Sequence, residues 1–160
     1  MPDMLVKLYD LPKPDEDQAP WKRAGIVIKR AMTPDKFLVL DFVRQNFAEA
    51  WASECDAAFV NKPVSCFVAV REGKVVGFAC YEATWKDYFG PTGVAKECRG
   101  MGLGTALLLR ALGGLWDMGY AYGIIGGAVS AIPFYEKTVG AVVIPDSVPS
   151  IYRDRIKWKD

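Results

Sequence analysis

Val94-Ala95-Lys96-Glu97-Cys98-Arg99-Gly100-Met101-Gly102-Leu103-Gly104-Thr105-Ala106-Leu107-Leu108 is the stretch on which the reading of this chain turns. Upstream of it, Asp87 to Ala95 has the character of a strand. Downstream, Gly102 to Met118 is apolar around most of its circumference, as in a buried helix. Glycines 100, 102 and 104 therefore sit where a strand hands over to a helix. A helix start carries unpaired N–H groups and partial positive charge, which suits phosphate oxygens, and glycine lets the backbone approach them closely. Thr105 adds a hydroxyl and Arg99 a fixed positive charge. Two other phosphate motifs fail on spacing: no Lys follows as a Walker A loop requires, and Thr105 stands where the dinucleotide fingerprint needs a third Gly or Ala. On spacing alone, the glycines also fit a tight turn that packs a helix close to a sheet.

The rest of the chain supplies the frame. Ile26–Arg30 reads as a first strand, and Thr33-Pro34 as the start of a helix whose apolar residues include Phe37, Leu38, Leu40, Phe42, Val43 and Phe47. A second helix covers Ala48–Phe59. Ser65–Val70 and Lys74–Tyr81 form a hairpin around Arg71-Glu72-Gly73. After the glycine segment and its helix come a short strand over Tyr120–Ile125, a helix over Ile132–Thr138, and strands over Ala141–Ile144 and Ile151–Trp158. This order, β-α-α-β-β-β-α-β-α-β-β, predicts an α/β (α+β) domain with a mixed, mostly antiparallel sheet flanked by helices. Residues 1–22, with Pro2, Pro12, Pro14 and Pro20, read as an extended leader, leaving 23–160 as a single domain.

Composition narrows the chemistry. The chain has 160 residues, 51% of them hydrophobic and 24% charged, with a net charge of +1. That balance gives no overall field for nucleic acid or for a membrane surface. There is no His, which excludes imidazole bases, His metal sites and Ser-His or Cys-His catalysis. Cys55, Cys66, Cys80 and Cys98 lack the spacing of a zinc site and read as reduced core thiols, so no metal is expected. The most apolar segment, Gly102–Trp116, contains Arg110 and is shorter than the ~20 residues of a membrane span. A cytoplasmic protein without nucleic-acid or membrane partners is the expectation.

The glycine segment resembles the acetyl-CoA signature of the GNAT (Gcn5-related) N-acetyltransferases, and Phe134-Tyr135-Glu136-Lys137-Thr138-Val139-Gly140-Ala141 resembles their second signature. With the element order, the resemblance runs from Ile26 to Trp158. It implies an enzyme that moves the acetyl group of acetyl-CoA to a primary amine of a small molecule, such as an amino sugar, or of a peptide. The alternative is a CoA-binding module of the same fold without catalysis. By the same resemblance, Val94 and Ala95 pair with the pantetheine arm, and Arg99, Gly100, Met101, Gly102, Leu103, Gly104 and Thr105 hold the pyrophosphate. Phe134 and Lys137 flank the cofactor, and Tyr135 is the general acid. Two strands splay to seat the thioester, helped by a bulge near Gly90–Gly93.

Glu82 follows the third strand where family members carry a carboxylate and is the implied base, with Glu54, Asp87 or a water relay as further options. Phe47, Trp51, Glu54, Trp85, Tyr88 and Tyr152 are the residues expected around the acceptor. Ala128 replaces an Asn that many members use toward the pantetheine. Family members are often dimers, and the last strands with the leader could supply a homodimer interface.

Overall fold

Met4, Val6 and Leu8 alternate with Leu5, Lys7 and Tyr9, and the first three are buried while Lys7 and Tyr9 are exposed. That period of two is a strand's signature, and in the computed structural model Met4–Lys7 is the first strand, β1. The structure describes residues 1–128 and 131–157. Part of the leader expected over 1–22 thus joins the sheet, through Met4–Lys7. The leader's prolines, Pro2, Pro12, Pro14 and Pro20, fall outside Met4–Lys7 and leave those four residues free to pair. Beyond β1, a short helix α1 (Pro20–Arg23) buries Trp21, and Glu16 bonds Arg110 at 2.7 Å.

The remaining elements follow the expected order: β2 (Val27–Arg30), α2 (Lys36–Asn46), α3 (Glu49–Ala58), β3 (Cys66–Arg71), β4 (Lys74–Tyr81) and β5 (Tyr88–Val94). Then come α4 (Leu103–Asp117), β6 (Tyr122–Ile125), α5 (Ile132–Val139) and β7 (Val142–Val143). The sheet runs β2-β3-β4-β5-β6-β1-β7. Every pairing is antiparallel except β5 with β6, which is parallel. The strand expected over Ile151–Trp158 does not form among the described residues. A 3-10 turn covers Ser150–Tyr152, and Asp146, Ser150 and Asp154 take positive φ, which breaks an extended run. Trp158 lies outside the described residues.

β4 is central and buried on both faces. Phe78 and Cys80 join a core with α2 and α3, whereas Ala79 and Tyr81 join a core with α4. A bulge shifts the register between Ala69 and Val70, so that Val76 is the extra residue and turns toward the α4 side. Along α2 the inward residues are Val39, Leu40 and Val43, while Phe37 and Leu38 point outward. α4 packs on β3, β4 and β5, which fixes where its first turn lies relative to the end of β5.

Two neighbouring glycines of α4 meet opposite surroundings. A Cβ on Gly114 would fall 2.5 Å from the Tyr81 ring, whereas one on Gly113 meets nothing within 4 Å. The Tyr81 ring has little room to yield, because it stacks on Phe67 and its hydroxyl accepts from Arg30. Gly113→Ala is expected to stabilise by ~0.5–1 kcal/mol through helix propensity. Gly114→Ala is expected to cost ~1–3 kcal/mol through overpacking. Urea unfolding of the two variants checks the opposite signs.

Candidate active site

β5 and β6 pair only at Tyr88↔Ile124 and Phe89↔Ile125. β6 then ends, while β5 continues to Val94 along β4. Between Phe89 and Thr92, β5 carries one residue more than β4, so Gly90-Pro91 forms a bulge that bends β5 away from β6. The gap between the parted strands opens a cleft of about 1380 Å³. That exceeds the ~300–1,000 Å³ of ordinary small-molecule clefts. Ala95 donates its N–H to the Val76 carbonyl of β4, so strand alternation turns the Val94 N–H and C=O toward the gap.

The start of α4 forms one wall. Gly100 and Gly102 have φ of +78° and +77°, a left-handed conformation that side chains disfavour. The first intrahelical bond there is Ala106 N–H to Gly102 C=O, and no side chain among the described residues caps the helix. The N–H groups of Leu103, Gly104 and Thr105 therefore have no helical partner. All three residues line the cleft, and the fifteen-residue helix behind them adds its dipole. Arg99 donates Nε to the Val94 carbonyl at 3.2 Å, which places its guanidinium at the cleft wall.

Tyr135 of α5 faces the same space. Its ring lies between Phe89 and Phe134, with centroids 6.1 and 5.3 Å away, and its hydroxyl has no hydrogen-bond partner among the described residues. Burial pushes the phenol up to about 12, so it carries its proton throughout the neutral range. Elsewhere on the cleft, Glu54 of α3 accepts from Thr84 Oγ1 at 2.9 Å. Burial raises its carboxyl above the usual range, with the Thr84 bond and the Arg155 charge opposing that rise. Trp51, Tyr88 and Tyr152 complete an aromatic end beside it.

The family model of the acetyltransferase (GNAT) family matches residues 27–141. The chain belongs to that family. It is 32% identical over 85 residues to an uncharacterized N-acetyltransferase of Methanocaldococcus jannaschii, which spans 52% of this chain and 54% of that relative. The chain thus aligns with about half the length of this curated relative. A GCN5-related glucosamine N-acetyltransferase region of a fungal multi-domain GH3 β-N-acetylglucosaminidase superposes with a TM-score of 0.70 at 19% identity. That match covers 89% of this chain and 19% of the fungal one. A GCN5-related N-acetyltransferase from Sphaerobacter thermophilus superposes with a TM-score of 0.68 at 21% identity, covering 89% of this chain and 48% of its own. The mixed seven-stranded sheet is the GNAT acyl-CoA acyltransferase fold.

Against this GNAT frame, the residues singled out from sequence divide. Val94, Arg99, Gly100, Gly102, Leu103, Gly104, Thr105, Phe134 and Tyr135 line the cleft. Ala95 does not, because its side chain is buried and its amide is taken by β4. Met101 packs toward the α4 core, and Lys137 lies on the exposed side of α5. Glu82 also stands apart. Its Oε1 accepts from the Tyr120 hydroxyl at 2.9 Å and its Oε2 from the Asp87 N–H at 2.6 Å, which ties the turn between β4 and β5. Both oxygens are thus engaged away from the cleft, which Glu82 does not line.

Phe47 stacks on Trp51 behind the cleft wall, and Trp85 is exposed outside it. Sequence reasoning missed Met1, Thr84, Thr92, Arg155 and Lys157, all on the cleft wall. None carries a local signal. β1 brings Met1 there, and Asp3 holds the terminal segment by accepting from Ser150.

Asp87 offers a pH test of the turn that Glu82 ties. Burial and the Glu82 charge raise its carboxyl from the ordinary range to about 6, and its Oδ1 is buried without a partner. Ionisation is therefore penalised in the folded state. The penalty is absent below the unfolded pKa near ~3.9, grows as pH rises, and is complete above about 6. Asp87→Asn keeps the positive φ within reach of its side chain and removes the charge. It is expected to raise Tm at pH ~8, with the gain fading toward pH ~4. A gain independent of pH would contradict this account.

Proposed function

We propose that this chain transfers the acetyl group of acetyl-CoA to a primary amine of a small molecule or a peptide. The observation that carries the reading is the uncapped start of α4, left-handed at Gly100 and Gly102, which opens into the same cleft as the unpartnered Tyr135 hydroxyl. Acetyl-CoA fits that cleft as a group with an anionic pyrophosphate at one end, and it supplies an activated acetyl carbon at the other. The N–H groups of Leu103, Gly104 and Thr105, with Arg99, hold the pyrophosphate oxygens. The Val94 N–H, turned toward the gap, pairs with a pantetheine carbonyl, while the Val94 carbonyl already accepts from Arg99. Thr92 lines the same cleft, with its hydroxyl donating to the Phe78 carbonyl at 3.0 Å.

An amine arriving as ammonium must lose a proton before it attacks. Glu54 accepts that proton, directly or through one water, and its raised carboxyl pKa brings it nearer to neutrality as a base. Tyr135 then gives its proton to the departing sulfur. Its raised pKa keeps it protonated until negative charge develops beside it. Trp51, Tyr88 and Tyr152 offer aromatic faces to a cationic or ring-shaped acceptor next to Glu54. An amino sugar matches that chemistry, and the glucosamine acetyltransferase region among the fold relatives lends it support.

The test is a screen of primary amines, amino sugars included, with acetyl-CoA as donor and release of free thiol as the signal. Turnover of at least one amine class is expected. Binding of acetyl-CoA with no acceptor turned over would favour a CoA-binding module without catalysis. Tyr135→Phe is expected to lower kcat by roughly a hundredfold while leaving acetyl-CoA affinity nearly unchanged. Glu54→Gln is expected to lower kcat and flatten the limb on which wild-type rate rises with pH as Glu54 ionises. Unchanged turnover in either variant ends that residue's assignment.

A further inference from the structure

On the side of the sheet opposite α4, three thiols meet. Cys55 comes from α3, Cys66 from β3 and Cys80 from β4; each is fully buried. Their sulfurs all lie within 4.8 Å of one another, and the Cys80 thiol donates to Cys55 Sγ at 3.6 Å. Cys66 and Cys80 face each other across β3 and β4. The Tyr81 N–H bonds the Ser65 carbonyl, so the 65/81 pair is the hydrogen-bonded one and 66/80 is the adjacent non-bonded pair. In such pairs the side chains come closest.

We propose that this trio is a buried oxidisable dithiol in which Cys55 and Cys80 join as a disulfide, with Cys66 beside them as a third thiol able to exchange. The oxidant class is a small neutral peroxide, which reaches the sulfurs through local opening of α3. The Cys55 thiolate attacks one peroxide oxygen, the O–O bond breaks, and Cys55 becomes a sulfenic acid as water is released. Cys80 sulfur then bonds to Cys55 sulfur and a second water leaves. In sum, two thiols and one hydrogen peroxide give one disulfide and two waters.

The order of events follows from the hydrogen bonds. Cys55 accepts S–H donation, which holds its thiol below the ordinary range, while burial pushes Cys80 up. Metal binding is the rival use of three sulfurs. The walls here are apolar, built from residues such as Val39, Val43, Phe59, Val64 and Phe78, and the chain has no His. A divalent ion held by all three sulfurs as thiolates would leave a net negative charge in that setting, whereas a disulfide is neutral.

The bond has a consequence for the cleft, and this part rests on the proposed acetyl transfer. Cys55 adjoins Glu54, and Trp51 lies one helical turn earlier on the same α3. Tying Cys55 to β4 shifts that helix face and with it the proposed base.

The experiment treats native reduced protein with hydrogen peroxide, alkylates free thiols after unfolding, and maps the peptides by mass. The expected product has two fewer alkylated thiols and a reducible Cys55–Cys80 link. Cys66→Ala is expected to retain the link, and Cys80→Ala to abolish it. Four alkylated thiols, or oxygen added at Cys98 or at all three cysteines of the trio, would overturn the proposal. The wild-type map decides this even where a variant fails to fold. In parallel, kcat/KM for an amine is expected to fall roughly ten- to hundredfold on oxidation and to recover on reduction. Linkage without any change in turnover would overturn the coupling to Glu54. The mass readout needs no acetyl transfer, so failure of the acetyltransferase reading leaves the dithiol test standing.

Discussion

Three backbone N–H groups at the start of α4, from Leu103, Gly104 and Thr105, have no partner within the helix, and no side chain among the described residues caps it. Leaving such donors unmet inside protein costs free energy, so this end of α4 has to face either solvent or a ligand. The sheet determines which. α4 is pinned along β3, β4 and β5 by the buried Leu107, Leu108, Ala111, Leu112 and Leu115. Its first turn is therefore held at the point where β5 parts from β6. Gly100 and Gly102 make the sharp connection possible without side chains filling the approach.

The parting of β5 and β6 is itself built from ordinary parts. The Gly90-Pro91 bulge bends β5, and the short β6 stops after Ile125. β1 then closes the far side of β6, in register from Met4↔Ile125 to Lys7↔Tyr122, so the gap stays on one side only. Asp3, one residue before β1, accepts from Tyr88 and Ser150 and so draws the terminal segment against the cleft. Met1 and Tyr152, from near the two ends of the chain, thus line one cavity.

Much of this was legible in sequence because it is local. The 3.6-residue pattern of α4, the glycine turn of the β3–β4 hairpin and the glycines before Leu103 each announce themselves within a few residues. β1 did not. Four residues between Pro2 and Pro12 carry a strand pattern too short to stand without knowledge of a waiting partner at Tyr122–Ile125. The site divided on the same line. The glycine turn before α4 could be read from spacing, whereas among the carboxylates Glu82 was preferred to Glu54 on its place after the third strand. The Tyr120 hydroxyl, 38 residues from Glu82, joins the Asp87 N–H in holding that carboxylate away from the cleft, and the Thr84 hydroxyl, 30 residues from Glu54, bonds the other at its wall.

The central claim is that the first turn of α4 holds the pyrophosphate of acetyl-CoA. Amide chemical shifts of the protein, recorded by NMR as acetyl-CoA is added, test it most directly. The account expects the largest saturable shifts at the Leu103, Gly104 and Thr105 N–H groups, with much smaller ones when acetyl-pantetheine, which lacks the pyrophosphate, is added instead. Saturable binding that leaves those three amides unmoved, or that moves them equally with both compounds, would contradict it.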